Sequence, residues 1–234
     1  MKAKRKTKHG YLVTIDGPSG AGKSTVSKLL AEAIDGILID TGAMYRAVAL
    51  FSLEAGLDKS LGWANVARRL KFDVNVKTGA ILVDSIDLGD RLRGEQVGSM
   101  ASKISSFSTV RSVLTSRQRS LAKGVSRVQP VVVEGRDIGT VVFPKAPFKF
   151  YVTAAPRVRA ERRYNQLREK GVDGISIASI LRDINKRDSQ DMNRRIAPLR
   201  CPKDAVVVDT SKLPIPQVVL FLKSHIENKL AEQK

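Results

Sequence analysis

The sequence predicts an α/β fold in which a five-stranded parallel sheet carries helices on both faces. Three observations predict it. Five short apolar, β-branched runs, "YLVTID", "GILID", "PVVVE", "FKFYVT" and "AVVVD", are spread along the chain. Helical patterns fall among them, at Val26–Ile34, Met44–Leu53, Arg157–Lys170, Ile177–Asp191 and Pro216–Leu230. A glycine-rich turn joins the first run to the first helix. Strands that alternate with helices form a parallel sheet covered on both sides. Numbering the five runs in sequence, the expected strand order is 2-3-1-4-5.

The turn after the first run reads "GPSGAGKST", Gly17 to Thr25. It fits Gly-x-x-x-x-Gly-Lys-Ser, with Gly17, Gly22, Lys23 and Ser24 in register and Pro18, Ser19, Gly20 and Ala21 between them. Residues without bulk let successive backbone N–H groups close around a polyphosphate. Lys23 adds a point charge and Ser24 a hydroxyl for Mg²⁺. The helix that follows turns the positive end of its dipole to the same phosphates. This predicts a nucleoside triphosphate site on a P-loop NTPase type of sheet.

The later runs end in polar residues that point the same way. "GILID" stops at Asp40–Thr41 and "PVVVE" at Glu134, followed by Arg136 and Asp137. Right-handed crossovers place the carboxyl ends of parallel strands along one edge. Gly17–Ser24, Asp40–Thr41, Glu134–Asp137 and the turn after Val152 therefore converge on one cleft. The segment "LKFDVNVKTGAILVDSIDLGD" breaks the pattern, because apolar and polar residues alternate in it about a Thr78–Gly79 turn. It reads as a small antiparallel insert. With no repeat or linker in view, residues 11–234 read as one domain behind a basic, disordered tail at 1–10.

A formal net charge of +18 makes polyanions the natural partners, whether nucleic acids or free nucleotides. Aromatic residues are 5% of the chain and do not interleave with the basic clusters, so stacking platforms for single strands are absent and nucleic-acid binding is not expected. The single cysteine, Cys201, excludes a disulfide framework and a Cys-rich metal site. No apolar run approaches the ~20 residues of a membrane span, and "MKAKRKTKHGYLV" lacks the apolar core of a secretory signal. The expected location is the cytoplasm, with no membrane partner.

Two uses of the phosphate site compete, with an RNA-binding protein as a third reading from the charge. "NKRD" at Asn185–Asp188 resembles the guanine-reading Asn-Lys-x-Asp of GTP switches. That signature follows a strand, however, and here Ile177, Ile180, Leu181 and Ile184 recur at helical spacing around it. The other use is phosphoryl transfer between nucleotides, which needs two anions positioned and charge neutralised. Arg46, Arg111, Arg136, Arg159, Arg162, Arg163, Arg187 and Arg194 are available for it. Arginine binds phosphate oxygens bidentately and keeps its proton. His9 and His225 have no part in this chemistry.

"TIDGPSGAGKST", "LIDTGAMYRAVAL", "VVEGRDIGTVVFPKAPFKFYVTA", "RAERRYNQL" and "NKRDSQDMNRRIAPL" together resemble the bacterial cytidylate kinase family, in order, from about Tyr11 to Val219. The resemblance implies transfer from ATP to CMP or dCMP with Mg²⁺; another nucleoside monophosphate kinase, such as a UMP/CMP kinase, is the nearest alternative, and a monomer is expected. It implies that Gly17 to Thr25 hold ATP, with Lys23 on the β/γ oxygens and Ser24 on the metal. Thr41 and Arg46 would hold the CMP phosphate beside Tyr45. Ser102, Arg111 and Asp137 would meet the cytosine, and Arg136 the transferring phosphates. Arg187 and Asp191 would bind the pentose, and Arg194 the acceptor phosphate or base. Arg159, Arg162 and Arg163 would belong to a lid at about 155–171, and the acceptor region with its insert would span about 41–106. Thr41 stands where Ser is common and Glu134 where Asp is common; Glu134 would be a second-sphere or direct Mg²⁺ ligand.

Overall fold

A computed structural model describes residues 10–76 and 78–232; the basic tail, His9 among its residues, lies outside them except for Gly10. The central sheet is built from β1 (Leu12–Asp16), β2 (Ile37–Asp40), β6 (Val131–Glu134), β7 (Phe148–Thr153) and β8 (Val206–Asp209), all parallel, in the order β2-β6-β1-β7-β8. These labels count the three insert strands β3 (Phe72–Val74), β4 (Ile81–Val83) and β5 (Ile86–Asp87), so they differ from a numbering of the five sequence runs alone. The insert is a separate antiparallel sheet of order β3-β4-β5. Its first turn closes where Gly79 (φ 73) donates to Asn75 O and Asn75 donates to Ala80 O.

Alternation along each strand sorts the two main cores. Val131 and Val133 of β6 join Ile37 and Ile39 of β2 beneath α2 (Thr41–Glu54), α3 (Ser60–Arg69), α4 (Glu95–Ile104) and α5 (Ser108–Val125). Val132 faces the other side, with Val13, Ile15, Phe148 and Phe150, under α1 (Lys23–Ala33) and α8 (Ile215–Glu232). A third, small cluster of Ala160, Ile180 and Ile184 joins α6 (Pro156–Glu169) to α7 (Ile177–Asn193) away from the sheet. Trp63 of α3 is fully buried, donates Nε1–H to Leu57 O at 2.9 Å, meets Phe107 edge-on and lies under the ammonium of Lys103. Among the described residues no helix is long and apolar enough to cross a membrane.

Two helices begin earlier than their apolar patterns. α1 starts at Lys23 and α2 at Thr41, because the first turns carry the polar residues that face the cleft. Asp40 caps α2, accepting from Ala43 N at 3.1 Å.

The chain leaves β1 through Gly17 (φ 148), where an added Cβ would lie 1.9 Å from the carbonyl oxygen of Val152 on β7. Gly17→Ala must push two paired strands apart. Overpacking of this kind costs about 1–3 kcal/mol, or roughly 2–4 °C of melting temperature per kcal/mol in a chain of this size. Thermal denaturation followed by circular dichroism should show that fall; an unchanged melting temperature would mean β7 yields freely.

Candidate active site

Carboxylates at the strand ends build the floor of the cleft. Asp16, the last residue of β1, is fully buried and accepts from Ile138 N at 2.8 Å and Gly139 N at 2.7 Å. It thereby ties the π-helical turn Ile138–Val142 to the root of the glycine-rich loop. Glu134 closes β6 opposite Asp40. Its Oε1 accepts from Ser24 Oγ at 2.8 Å, and its backbone carbonyl accepts from Thr41 Oγ1 at 2.7 Å. Its Oε2 is buried with no hydrogen-bond partner among the described residues. Burial, then the neighbouring Asp40, raise the Glu134 pKa above the usual carboxylate range.

The loop itself curls around Lys23, which is 6% exposed and donates to Pro18 O at 2.6 Å. Burial, then the charge of Arg136, lower its pKa well below that of a free lysine. Gly20 and Gly22 both have positive φ, 76° and 86°. The loop is braced from outside by Thr210, whose Oγ1 lies 3.1 Å from the carbonyls of Ala21 and Thr153 and accepts from Arg162 at 3.0 Å.

On the other side of Glu134 lies a cluster of arginines and acids. The buried Arg111 forms a short ion pair with Asp137, and Arg194 reaches the other oxygen of Asp137 at 3.4 Å. Burial raises the Asp137 pKa against the pull of these two arginines. Arg111 also donates to Ser105 O at 3.1 Å and stacks over the ring of Tyr45. Arg136 donates Nε–H to Asp191 at 3.2 Å, and Arg46 pairs with Asp40 at 2.6 Å. Arg187 is exposed, with Arg136, Asp191 and Arg46 as charged neighbours. Ser102 is half-buried on α4, its carbonyl accepting from Ser105 Oγ.

The three arginines read as a lid are not equivalent. Arg159 is 3% exposed and spends its guanidinium on Ala154 O, Ser19 O and Asp188. Arg162 is bound to Thr210, while Arg163 lies exposed on α6. Asp16, Asp188 and Thr210 are contributors to which the sequence reading gave no role in the site, whereas Asp40 was expected at the cleft. An acid closing an apolar run just before the glycine-rich loop was a usable signal for Asp16; nothing local marks Thr210. "NKRD" falls inside α7, away from any strand end, which removes the guanine-reading geometry.

A phosphate loop between a parallel strand and a helix, with carboxylates beside it and paired arginines across the cleft, defines a kinase of the P-loop class. The comparisons give the family. The family model "Cytidylate kinase" matches residues 13–228. A cytidylate kinase of Methylococcus capsulatus is 41% identical over 220 residues, 93% of this chain and 97% of that one. One from Photobacterium profundum is 41% identical over 230 residues, 97% and 98% of the two chains. A solved gluconokinase from Sinorhizobium meliloti 1021 shares the fold, with a TM-score of 0.51 at 15% identity over 97% of this chain and 98% of that one. The chain belongs to the cytidylate kinase family.

Burial pushes the Asp16 pKa from 3.8 up to about 6, against the two N–H bonds that lower it. The folded carboxyl thus keeps its proton to higher pH than the unfolded one. Its contribution to stability is full below about pH 4 and is lost as pH rises through about 6. At ~1.4 kcal/mol per pKa unit this amounts to about 3 kcal/mol. Asp16→Asn does not titrate, so the wild-type advantage over it in urea unfolding should shrink by about that amount between about pH 4 and pH 7.5. An advantage that grows with pH would mean that the N–H bonds outweigh burial.

Proposed function

We propose that the chain transfers the γ-phosphoryl group of ATP to CMP or dCMP, giving ADP and CDP or dCDP. The observation that carries this reading is Asp137, held between Arg111 and Arg194 in the same cleft as the phosphate loop. An ionised carboxylate offers about four lone-pair positions. The two arginines leave room for it to accept from the exocyclic amino group of cytosine. Uracil presents a carbonyl oxygen there, which a carboxylate repels. In the same reading Ser102, half-buried on α4, meets the cytosine from the base side.

In this reading Gly17 to Thr25 cradle the ATP phosphates, and Lys23 exchanges Pro18 O for the β/γ oxygens. Arg136 neutralises charge on the moving phosphoryl group. Thr41, Tyr45 and Arg46 hold the acceptor phosphate within the region 41–106; Arg187 and Asp191 hold the pentose. Arg194 serves the acceptor phosphate or the base. The acceptor phosphate oxygen is already ionised at neutral pH, so in-line attack needs no protein base. The segment 155–171 is the lid of this reading: Arg159 and Arg162 brace the donor loop, and Arg163, exposed on α6, reaches over the donor and helps keep out water, the competing acceptor. A monomer is the assembly of this reading.

Mg²⁺ fits the residues present. Glu134 Oε2 is a buried oxygen with no partner among the described residues, next to the Ser24 hydroxyl. Ser24 would ligate the ion, with Glu134 bound directly or through water. When bound, the ion offsets negative charge on the β/γ oxygens.

An ADP-release assay with ATP and, in turn, CMP, UMP, AMP, GMP and dTMP tests the reading; CMP should be the best acceptor of the five. Another preferred acceptor would make the chain a different monophosphate kinase. Asp137→Asn can turn either its oxygen or its nitrogen to the base. CMP efficiency should fall and the preference for CMP over UMP should collapse by about tenfold or more. Equal losses for both acceptors would assign Asp137 to holding the arginines in place.

A further inference from the structure

Asp188 closes the tetrapeptide that superficially resembled a guanine-reading motif, and the reaction described above does not use it. It is buried, and its Oδ2 lies 2.7 Å from the Nη1 of Arg159. The same nitrogen donates to Ser19 O at 3.0 Å, inside the phosphate loop. The loop rests on the stem of this arginine: a Cβ built on Gly20 would lie 3.3 Å from Arg159 Cβ. Asp188, Arg159 and Ser19 thus form an unbroken chain of contacts from the middle of α7 into the donor loop. Three residues further along α7, Asp191 holds Arg136 at 3.2 Å. Positions i and i+3 share a helix face. One face of α7 therefore grips an arginine under the donor loop and another at the end of β6. The helix is joined to α6 by the small cluster of Ala160, Ile180 and Ile184, apart from both sheet cores.

We propose that Asp188 is a positioning residue that couples the two nucleotide sites. Coupling needs an element with two arrangements that both ligands bias. The α6–α7 pair, packed on itself and tied to the sheet side through Asp188 and Asp191, takes that role in the proposal. Pentose binding at Arg187 and Asp191 fixes α7. Asp188 then fixes Arg159, and Arg159 fixes the Ser19 carbonyl in the donor-binding conformation. By linkage, donor binding strengthens acceptor binding by the same factor. The inference rests on the pentose placement of Arg187 and Asp191 given above.

The test measures the CMP dissociation constant by calorimetry, alone and with saturating Mg²⁺ and a non-hydrolysable ATP analogue, together with kcat and KM. Wild-type protein should bind CMP about fivefold or more tightly when the analogue is present. Asp188→Asn keeps the volume of the side chain and one acceptor oxygen but not the charge. In that variant the ratio should fall close to one, with CMP binding in the absence of donor changed by less than about twofold. Arg159→Lys, which keeps charge without the fork, should lower the ratio too, and the double variant should lower it no further. A ratio unchanged in Asp188→Asn overturns the proposal, leaving Asp188 as packing between α6 and α7. So does equal weakening with and without donor, or a wild-type ratio of one. Wild-type protein that binds no CMP at all would overturn the assigned function itself, and the coupling with it.

Discussion

The cleft depends on one constraint: negative charge is held at the carboxyl ends of parallel strands where little water reaches it. β1 ends at Asp16 and β6 at Glu134, both buried, and β2 at the half-buried Asp40, while β8 ends at the exposed Asp209. Buried carboxylates are tolerated only when hydrogen-bonded or paired, and each of the four has at least one local partner, while Glu134 Oε2 is left without one among the described residues. Asp16 takes two backbone N–H groups, Asp40 a helix cap and Arg46, Glu134 the Ser24 hydroxyl, and Asp209 the backbone and hydroxyl of Ser211. Those partners are the pieces of the site. The glycine-rich loop, the start of α2, the Ile138 turn and the Thr210 loop are anchored by the same acids that give the cleft its electrostatic character.

The arginines across the cleft obey the same constraint from the other side. Arg111, Arg159 and Arg194 are largely shielded, and each is paired with Asp137 or Asp188. A guanidinium suits this duty because its fork can serve a carboxylate and a carbonyl together, as Arg111 does with Asp137 and Ser105 O. The excess positive charge of the chain is thus only partly a surface property.

The sheet was legible because its strands are continuous β-branched runs ending in polar residues, and the phosphate loop because its glycines and Lys23-Ser24 sit between such a run and a helix. The helices α3, α4 and α5 were not legible as elements. Their buried faces use small residues, Ala64 and Ala67, Ala101 and Ala122, and in α5 the polar Arg111 and Gln118. An apolar period is weak when alanine and charge fill the buried positions. In the site, the residue types were readable and the division of labour was not. Arg159, Arg162 and Arg163 look alike in sequence, and only tertiary contacts separate a brace beneath the loop from a side chain in water. Thr210 lies almost two hundred residues from the Ala21 carbonyl that it meets, a pairing that no local pattern encodes.

Trp63 is the one tryptophan of the chain, so the protein carries a single indole chromophore in a defined place. Its ring is boxed by Phe107 and by the Lys103 ammonium of α4, on the side of the sheet opposite α1 and α8. A nearby cation perturbs indole emission, and Lys103 moves with the helix that bears Ser102. Intrinsic fluorescence is therefore a local optical gauge of α3 against α4. Events confined to the α1–α8 layer lie across the sheet from it, and a spectral change on adding nucleotide is a report from the half of the molecule that holds the insert.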